Sequence, residues 1–172
     1  MVLRRGSTLI GVAANARFGG LAVTIDGELV YWRVARWTRG SAGPLPVAAF
    51  SLLEPVLRHF HPVALVVLVD DGLDGRSARS RTVVERTILP ALSSIPLPKI
   101  EVRKSDLVRD LGLSRSTTIA LRRELLRRTP LPAVPGQTKV VDAREKERYW
   151  ECAVLASGAT RVPLRQSGIV HA

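Results

Sequence analysis

Residues 8–16 read Thr-Leu-Ile-Gly-Val-Ala-Ala-Asn-Ala, an apolar run that ends in small residues. This run predicts a buried strand that opens into a turn over residues 17–20, and residues 21–25 predict a second strand. Asp26-Gly27 stands between two apolar runs and predicts a two-residue hairpin turn. Residues 29–37 alternate roughly between apolar and polar side chains and predict a third strand. The chain therefore starts with a meander of three antiparallel strands.

Helices and strands alternate over the rest of the chain. The predicted elements are a helix at 47–60, a strand at 63–69, a helix at 76–92, a strand at 99–103, two helices over 105–128 that break at Gly112, and a last helix at 142–157. The strand at 63–69 is continuously apolar, as in strands that are covered on both faces. The order predicts an α/β fold, in which crossover helices flank a mixed sheet of three antiparallel meander strands and further parallel strands. We expect one domain over residues 1–157 and a loosely held tail over 158–172.

Charge and composition restrict the class of partner. The 172-residue chain carries a net charge of +11, and 22 of its 26 basic residues are arginine because only four are lysine. Such a surplus attracts polyanions, with nucleic acid as the first expectation and DNA favoured, and arginine forms forked contacts to phosphate. The excess of arginine has two alternative explanations, a G+C-rich genome and an acidic protein partner. With one cysteine and no apolar run near the roughly 18 residues of a membrane span, the sequence predicts a cytoplasmic protein without membrane contact.

The first strand and the turn after it carry a family resemblance. Residues 9–16 are followed by Gly19-Gly20 and an apolar strand, and this frame resembles the opening of the RNase H-like superfamily, in particular the RuvC-type Holliday junction resolvases. The resemblance extends over residues 8–157. Ala13 stands where that family has its first catalytic aspartate. Because resolvases of this type act as dimers, the resemblance also suggests a homodimer.

The resemblance places the other catalytic acids of the family near the end of the strand at 63–69 and on the last helix. The second acid aligns near Leu68, with Asp70 and Asp71 two or three residues later, and Glu151 matches the acid of the terminal helix, one turn after Glu147. The resemblance implies two divalent metals, Mg²⁺ or Mn²⁺, held by these carboxylates for an in-line displacement. Ala13 cannot bind a metal, so we expect a degraded hydrolytic site and no cofactor.

The sequence leaves two alternatives to a degraded hydrolytic site open, an active endonuclease and a DNA-binding regulator. An active metal-dependent endonuclease would use Asp70, Asp71, Glu147 and Glu151 as catalytic residues, with Asp70 and Glu151 as metal ligands. The carboxylates also have a simpler interpretation: Glu147 and Glu151 each lie three residues after an arginine on the same helix, in the spacing of surface ion pairs.

Cys152 lies in an apolar stretch and is expected to be a buried packing residue.

Residues 105–128 support the second alternative, a helix-turn-helix regulator. Leu107 and Leu111 would pack the first helix, Gly112 would form the turn, Ser114 would cap the second helix, and Ile119 would face inward with Leu125 or Leu126. The other interpretation is a pair of helices that covers the sheet and has a basic outer face.

The favoured hypothesis combines these observations in a RuvC-like, nucleic-acid-binding protein with an impaired catalytic site. It would bind branched or duplex DNA, and a protein partner is a weaker alternative. The arginines expected to contact phosphate are Arg76, Arg79, Arg81, Arg115, Arg122 and Arg123.

Overall fold

A computed structural model describes residues 3–15, 18–36, 45–69, 82, 84–114, 117–128 and 143–169. Its strands are β1 (Thr8–Ala14), β2 (Phe18–Ile25), β3 (Glu28–Arg36), β4 (Ala64–Val69) and β5 (Lys99–Arg103). Its α-helices are α1 (Leu45–Phe60), α2 (Leu89–Ser93), α3 (Lys104–Asp110), α4 (Thr118–Arg128) and α5 (Ala143–Gln166), and a π-helical turn at Val84–Ile88 leads into α2.

The five strands form one mixed sheet in the order β3-β2-β1-β4-β5. The first three strands pair antiparallel, whereas β4 lies parallel to β1 and β5 lies parallel to β4. This is the predicted fold class. The hairpin prediction is also confirmed, because Asp26 and Gly27 have φ angles of 51° and 83°, the left-handed pair that a type I′ turn needs.

Each face of the sheet has its own apolar core. On one face, α1 and α2 cover side chains that alternate along the central strands: Ile10, Val12, Leu21, Val23, Leu65 and Val67. On the opposite face, α3, α4 and α5 cover Leu9, Ala13, Ala22, Val66 and Leu68. Because β4 is buried on both faces, its sequence is continuously apolar.

Helix α5 lies unusually close to β1 and β2. A Cβ atom at Gly11 would overlap the carbonyl oxygen of Ala156, and a Cβ atom at Gly20 would lie 2.6 Å from the carbonyl carbon of Cys152. Only glycine allows this approach. The glycines of the opening motif therefore let the last helix lie directly on β2 and on β1, the strand that carries Ala13.

The last helix is longer than its sequence predicts. It continues past Ser157 to Gln166, and Ala159, Thr160, Val162 and Leu164 are buried. Gly158 lies within the helix and not in a loop, and a Cβ atom at that position would lie 2.7 Å from the Leu125 side chain. The expectation of a loosely held segment is therefore wrong for residues 158–166.

Other boundaries differ less from the predictions. Strand β5 coincides with residues 99–103, and Gly112, with a φ angle of 65°, separates α3 from α4. Of the helix predicted at 76–92, the structure describes Thr82, the π-helical turn and α2. Among the described helices, none combines the length and apolar character needed to cross a membrane.

Candidate functional site

The carboxyl ends of β1 and β4 and the start of α3 meet the amino-terminal half of α5. We call this region the carboxyl edge and define it by Ala13, Leu68, Lys104 and Glu151. Ala13 and Leu68 are only 3% and 4% exposed and belong to the apolar core under α5. Lys104, the first residue of α3, is also buried. The carboxyl edge is the position at which α/β sheets commonly bind ligands.

Asn15 fastens the turn between β1 and β2 to α5. Its Oδ1 accepts a hydrogen bond of 2.8 Å from the Phe18 amide, and its Nδ2 donates to the Cys152 Sγ at 3.3 Å. This is the Asx-type bonding by which asparagine stabilises tight turns. The side-chain oxygen of Asn15 thus holds the connection between β1 and β2.

Cys152 is a buried structural residue, as its sequence context predicts. Its thiol is 1% exposed and donates to the Phe18 carbonyl oxygen at 3.6 Å. Burial, with a smaller contribution from the negative charge of Glu151, raises the pKa of this thiol far above its ordinary value. The thiolate, which is the reactive form, is therefore strongly disfavoured.

Glu151 is paired with a cation of the protein itself. The Arg122 Nη1 lies 3.4 Å from the Glu151 Oε2, and the two side chains are only 16% and 18% exposed. The sequence predicts that Arg122 contacts nucleic acid, but in the structure its side chain faces α5 and joins that helix to α4. Arg123, the next residue, is exposed to solvent.

The other predicted site residues are described only in part. Glu147 lies on α5, and its side chain is outside the described part of the structure. Six further positions lie outside the described residues altogether: Asp70, Asp71, Arg76, Arg79, Arg81 and Arg115. The sequence does not predict the burial of Lys104, because lysine is among the residues least often buried and a single lysine forms no pattern.

The described residues do not fit a two-metal centre. Among them, no group of three or more His, Cys, Asp and Glu side chains is placed to hold a metal ion. At the carboxyl edge, Ala13 contributes a methyl group and Glu151 already has a guanidinium partner. The two-metal chemistry implied by the resemblance thus has no ligand set among these residues.

The helix-turn-helix interpretation of residues 105–128 holds only in part. Leu107, Leu111 and Leu125 are buried as predicted, but Ile119 is 57% exposed. Helix α4 starts at Thr118, where the Thr117 Oγ1 accepts a hydrogen bond of 3.2 Å from the Ala120 amide. The cap is therefore not at Ser114. The inward face of α4 instead carries Leu121 and Leu125, which are four residues apart and share one side of the helix.

Comparison with known proteins identifies the fold by structural similarity and not by sequence similarity. No protein-family model matches the sequence, and no curated protein matches it. Thermus thermophilus RuvC aligns with a TM-score of 0.59 at 12% identity over 92% of this chain and 96% of that chain. The same protein in complex with a Holliday junction substrate gives 0.58 at 13% identity, over 93% and 96% of the two chains. The yeast mitochondrial Holliday junction resolvase gives 0.55 at 12% identity, over 95% and 82%. The chain thus has a RuvC-like RNase H fold.

Proposed function

We propose that this protein binds branched or duplex DNA and does not hydrolyse it. The observation that carries the proposal is the state of the carboxyl edge, where Ala13 is apolar and Glu151 is paired with Arg122. A two-metal nuclease needs several free carboxylates around its ions, because each ion prefers oxygen ligands in a nearly complete shell. The Arg122 guanidinium beside Glu151 opposes the approach of a divalent cation by charge repulsion.

Charge and fold support the choice of DNA. One solved protein with this fold is in complex with a Holliday junction substrate. The net charge of +11 supplies the field for a polyanion. The proposed phosphate contacts are made by Arg76, Arg79, Arg81, Arg115 and Arg123, whereas Arg122 has a structural role in the pair with Glu151. Contacts to phosphate release counterions, so binding should weaken steeply with salt.

Two measurements on one set of DNA substrates test the proposal. Fluorescence anisotropy compares a four-way junction with a linear duplex of matched sequence at several salt concentrations. The expected result is binding that falls steeply with salt, and a flat response contradicts phosphate-driven binding.

The second measurement incubates the same junction with Mg²⁺ or Mn²⁺ and follows strand cleavage. We expect intact DNA. Cleavage by the wild-type protein that Glu151→Gln abolishes would establish the endonuclease alternative. A preference of orders of magnitude for one duplex sequence over random and branched DNA would instead support a sequence-specific regulator.

A further inference from the structure

Three arginines gather where the ends of α3 and α4 meet the second half of α5. We call Arg128, Arg161 and Arg165 the arginine cluster. The Arg165 Nη1 donates to the backbone carbonyl oxygen of Asp110 and lies 2.9 Å from the Asp110 carboxylate. The Arg128 Nη2 donates to the Leu111 carbonyl oxygen at 3.3 Å. Two members of the cluster therefore bind carbonyl groups at the carboxyl end of α3, as basic side chains often do.

Capping of α3 leaves several donors of the cluster unused. Among the described residues, the Arg161 Nε and the Arg165 Nε and Nη2 are buried without a hydrogen-bond partner, as is one acceptor, the Asp110 Oδ2. Buried polar groups are nearly always hydrogen-bonded, so each exception calls for an explanation. Three unpartnered guanidinium nitrogens against one carboxylate oxygen favour an acceptor of negative charge.

The excess of positive charge in the cluster also favours a bound anion. Three guanidinium groups face two carboxylates, those of Asp110 and Glu124, and Glu124 already binds Arg128 at 2.7 Å. Burial lowers the pKa of Arg161, and the nearby cations Arg165 and Arg128 lower it further, although Asp110 partly opposes them. An added anion would relieve this repulsion. The three unpartnered nitrogens are themselves buried, but the Arg161 and Arg165 side chains are partly exposed, so they can turn these nitrogens towards an anion at the surface.

We propose that the arginine cluster binds one phosphate group, supplied by a nucleic-acid backbone, through the free nitrogens of Arg161 and Arg165. Arginine presents donors in a planar fork that matches two phosphate oxygens. The choice of a nucleic-acid backbone as the source rests on the proposed function. Phosphate binding itself does not, since inorganic phosphate can test it without DNA.

The first test is thermal unfolding of the full chain in sodium phosphate and in sodium chloride of equal ionic strength. We expect phosphate to raise the midpoint above its value in chloride, and Arg161→Gln to remove most of this difference. Arg58→Gln is the matched control: Arg58 is exposed, pairs with Glu54 on α1, and should keep the wild-type response. Equal midpoints of the wild-type protein in the two salts, or an unchanged phosphate effect in Arg161→Gln, would overturn the proposal.

Folding of the variant is checked by its midpoint in chloride. This value should be no lower than that of the wild-type protein, because the substitution removes a cation crowded by Arg165 and Arg128. If Arg161→Gln does not fold, Arg161→Lys takes its place. Lysine keeps the positive charge but lacks the planar fork of donors, so this variant should lose part of the rise in the midpoint that phosphate causes. Full retention by the lysine variant would argue against forked binding.

The second test separates the sources of phosphate. In DNA binding, Arg161→Gln should make the slope of log affinity against log salt less steep by about 0.9, the value for one phosphate contact. An unchanged slope, with the phosphate effect on unfolding lost, would overturn the assignment to a nucleic-acid backbone. If the wild-type protein binds no DNA but retains the phosphate effect, the proposed function fails and the phosphate site stands.

Discussion

The Arg122 guanidinium lies 3.4 Å from the Glu151 carboxylate and joins α4 to α5 across the carboxyl edge. The two residues are 29 positions apart in the sequence, and both side chains are mostly buried. A cation of the protein thus neutralises the acid that the family resemblance assigns to metal binding. The pair gives the carboxyl edge a structural role that needs no metal ion.

Removing the Glu151 charge should destabilise the fold. Glu151→Gln removes a negative charge beside a mostly buried Arg122, and we expect a loss of about 1–3 kcal/mol in the free energy of unfolding, measured with urea. The control is Glu54→Gln, which breaks the exposed pair with Arg58 and should cost about 1 kcal/mol or less. Equal losses in the two variants would contradict a structural role for the Arg122–Glu151 pair.

Restoring an aspartate at the first-strand position should not restore a metal centre. Ala13→Asp buries a carboxylate within an apolar core, so we expect a loss of about 3 kcal/mol or more. Ala14→Asp, at the partly buried neighbouring position on the other face, should cost less. Unfolding is followed with and without Mg²⁺. A Mg²⁺-dependent rise in the midpoint of Ala13→Asp, absent from the wild-type protein, would contradict this expectation.

Gly11 should tolerate no side chain. Gly11→Ala places a methyl group on the Ala156 carbonyl oxygen, and separating α5 from β1 should cost about 3 kcal/mol. Gly112→Ala is the comparison, because its surroundings are open within 4 Å and only its φ angle of 65° opposes a side chain. That strain is worth about 1–2 kcal/mol. Urea unfolding of both variants checks the difference, and a smaller loss at Gly11 would refute close helix packing as the cause.

Glu124 should contribute a stability that depends on acid pH. Hydrogen bonds from Arg127 and Arg128, each 2.7 Å long, lower the pKa of Glu124 from 4.5 to about 2. Because the folded-state value is the lower one, this stabilisation is complete above pH 4.5 and is lost as the pH falls towards 2. Glu124→Gln should therefore be less stable than the wild-type protein at pH 7, and the difference should shrink below pH 4.5. Titration of the carboxyl carbon by NMR measures the pKa directly, and an ordinary value would contradict the two-arginine contact.

Cys152 should react only after unfolding. Its thiol is buried and its pKa is raised, so both access and thiolate content are low in the folded protein. A thiol reagent such as iodoacetamide should leave the native chain unlabelled over hours and label it fully in guanidinium chloride. Rapid labelling of the native chain, at a rate unaffected by stabilising osmolytes, would show that the thiol is accessible.

The strands could be predicted because each carries a local signal. Asp26-Gly27 marks the hairpin, and the uninterrupted apolar run of β4 marks a strand covered on both faces. The end of α5 could not be predicted in the same way. Gly158 and Pro163 are typical of loops, but in this fold Gly158 makes room for Leu125, a contact between residues distant in sequence.

The site was less predictable than the fold, for a related reason. Ala13 could be recognised from its motif, since the flanking glycines fix the frame. The partner of Glu151 depends on how α4 packs against α5, a contact between residues 29 positions apart in the sequence. The sequence alone therefore could not distinguish an Arg122 that faces DNA from one that faces Glu151.

Helix α5 also constrains the order of events during synthesis. Asn15 and Cys152, which bond to each other, are 137 positions apart, and α5 is the cover for the Ala13 face of β1 and β2. On the ribosome, these two strands emerge early and keep one apolar face open to water until the last helix leaves the exit tunnel. The nascent chain therefore offers a chaperone a long interval in which to bind, and this face of the native sheet is covered only after translation of α5.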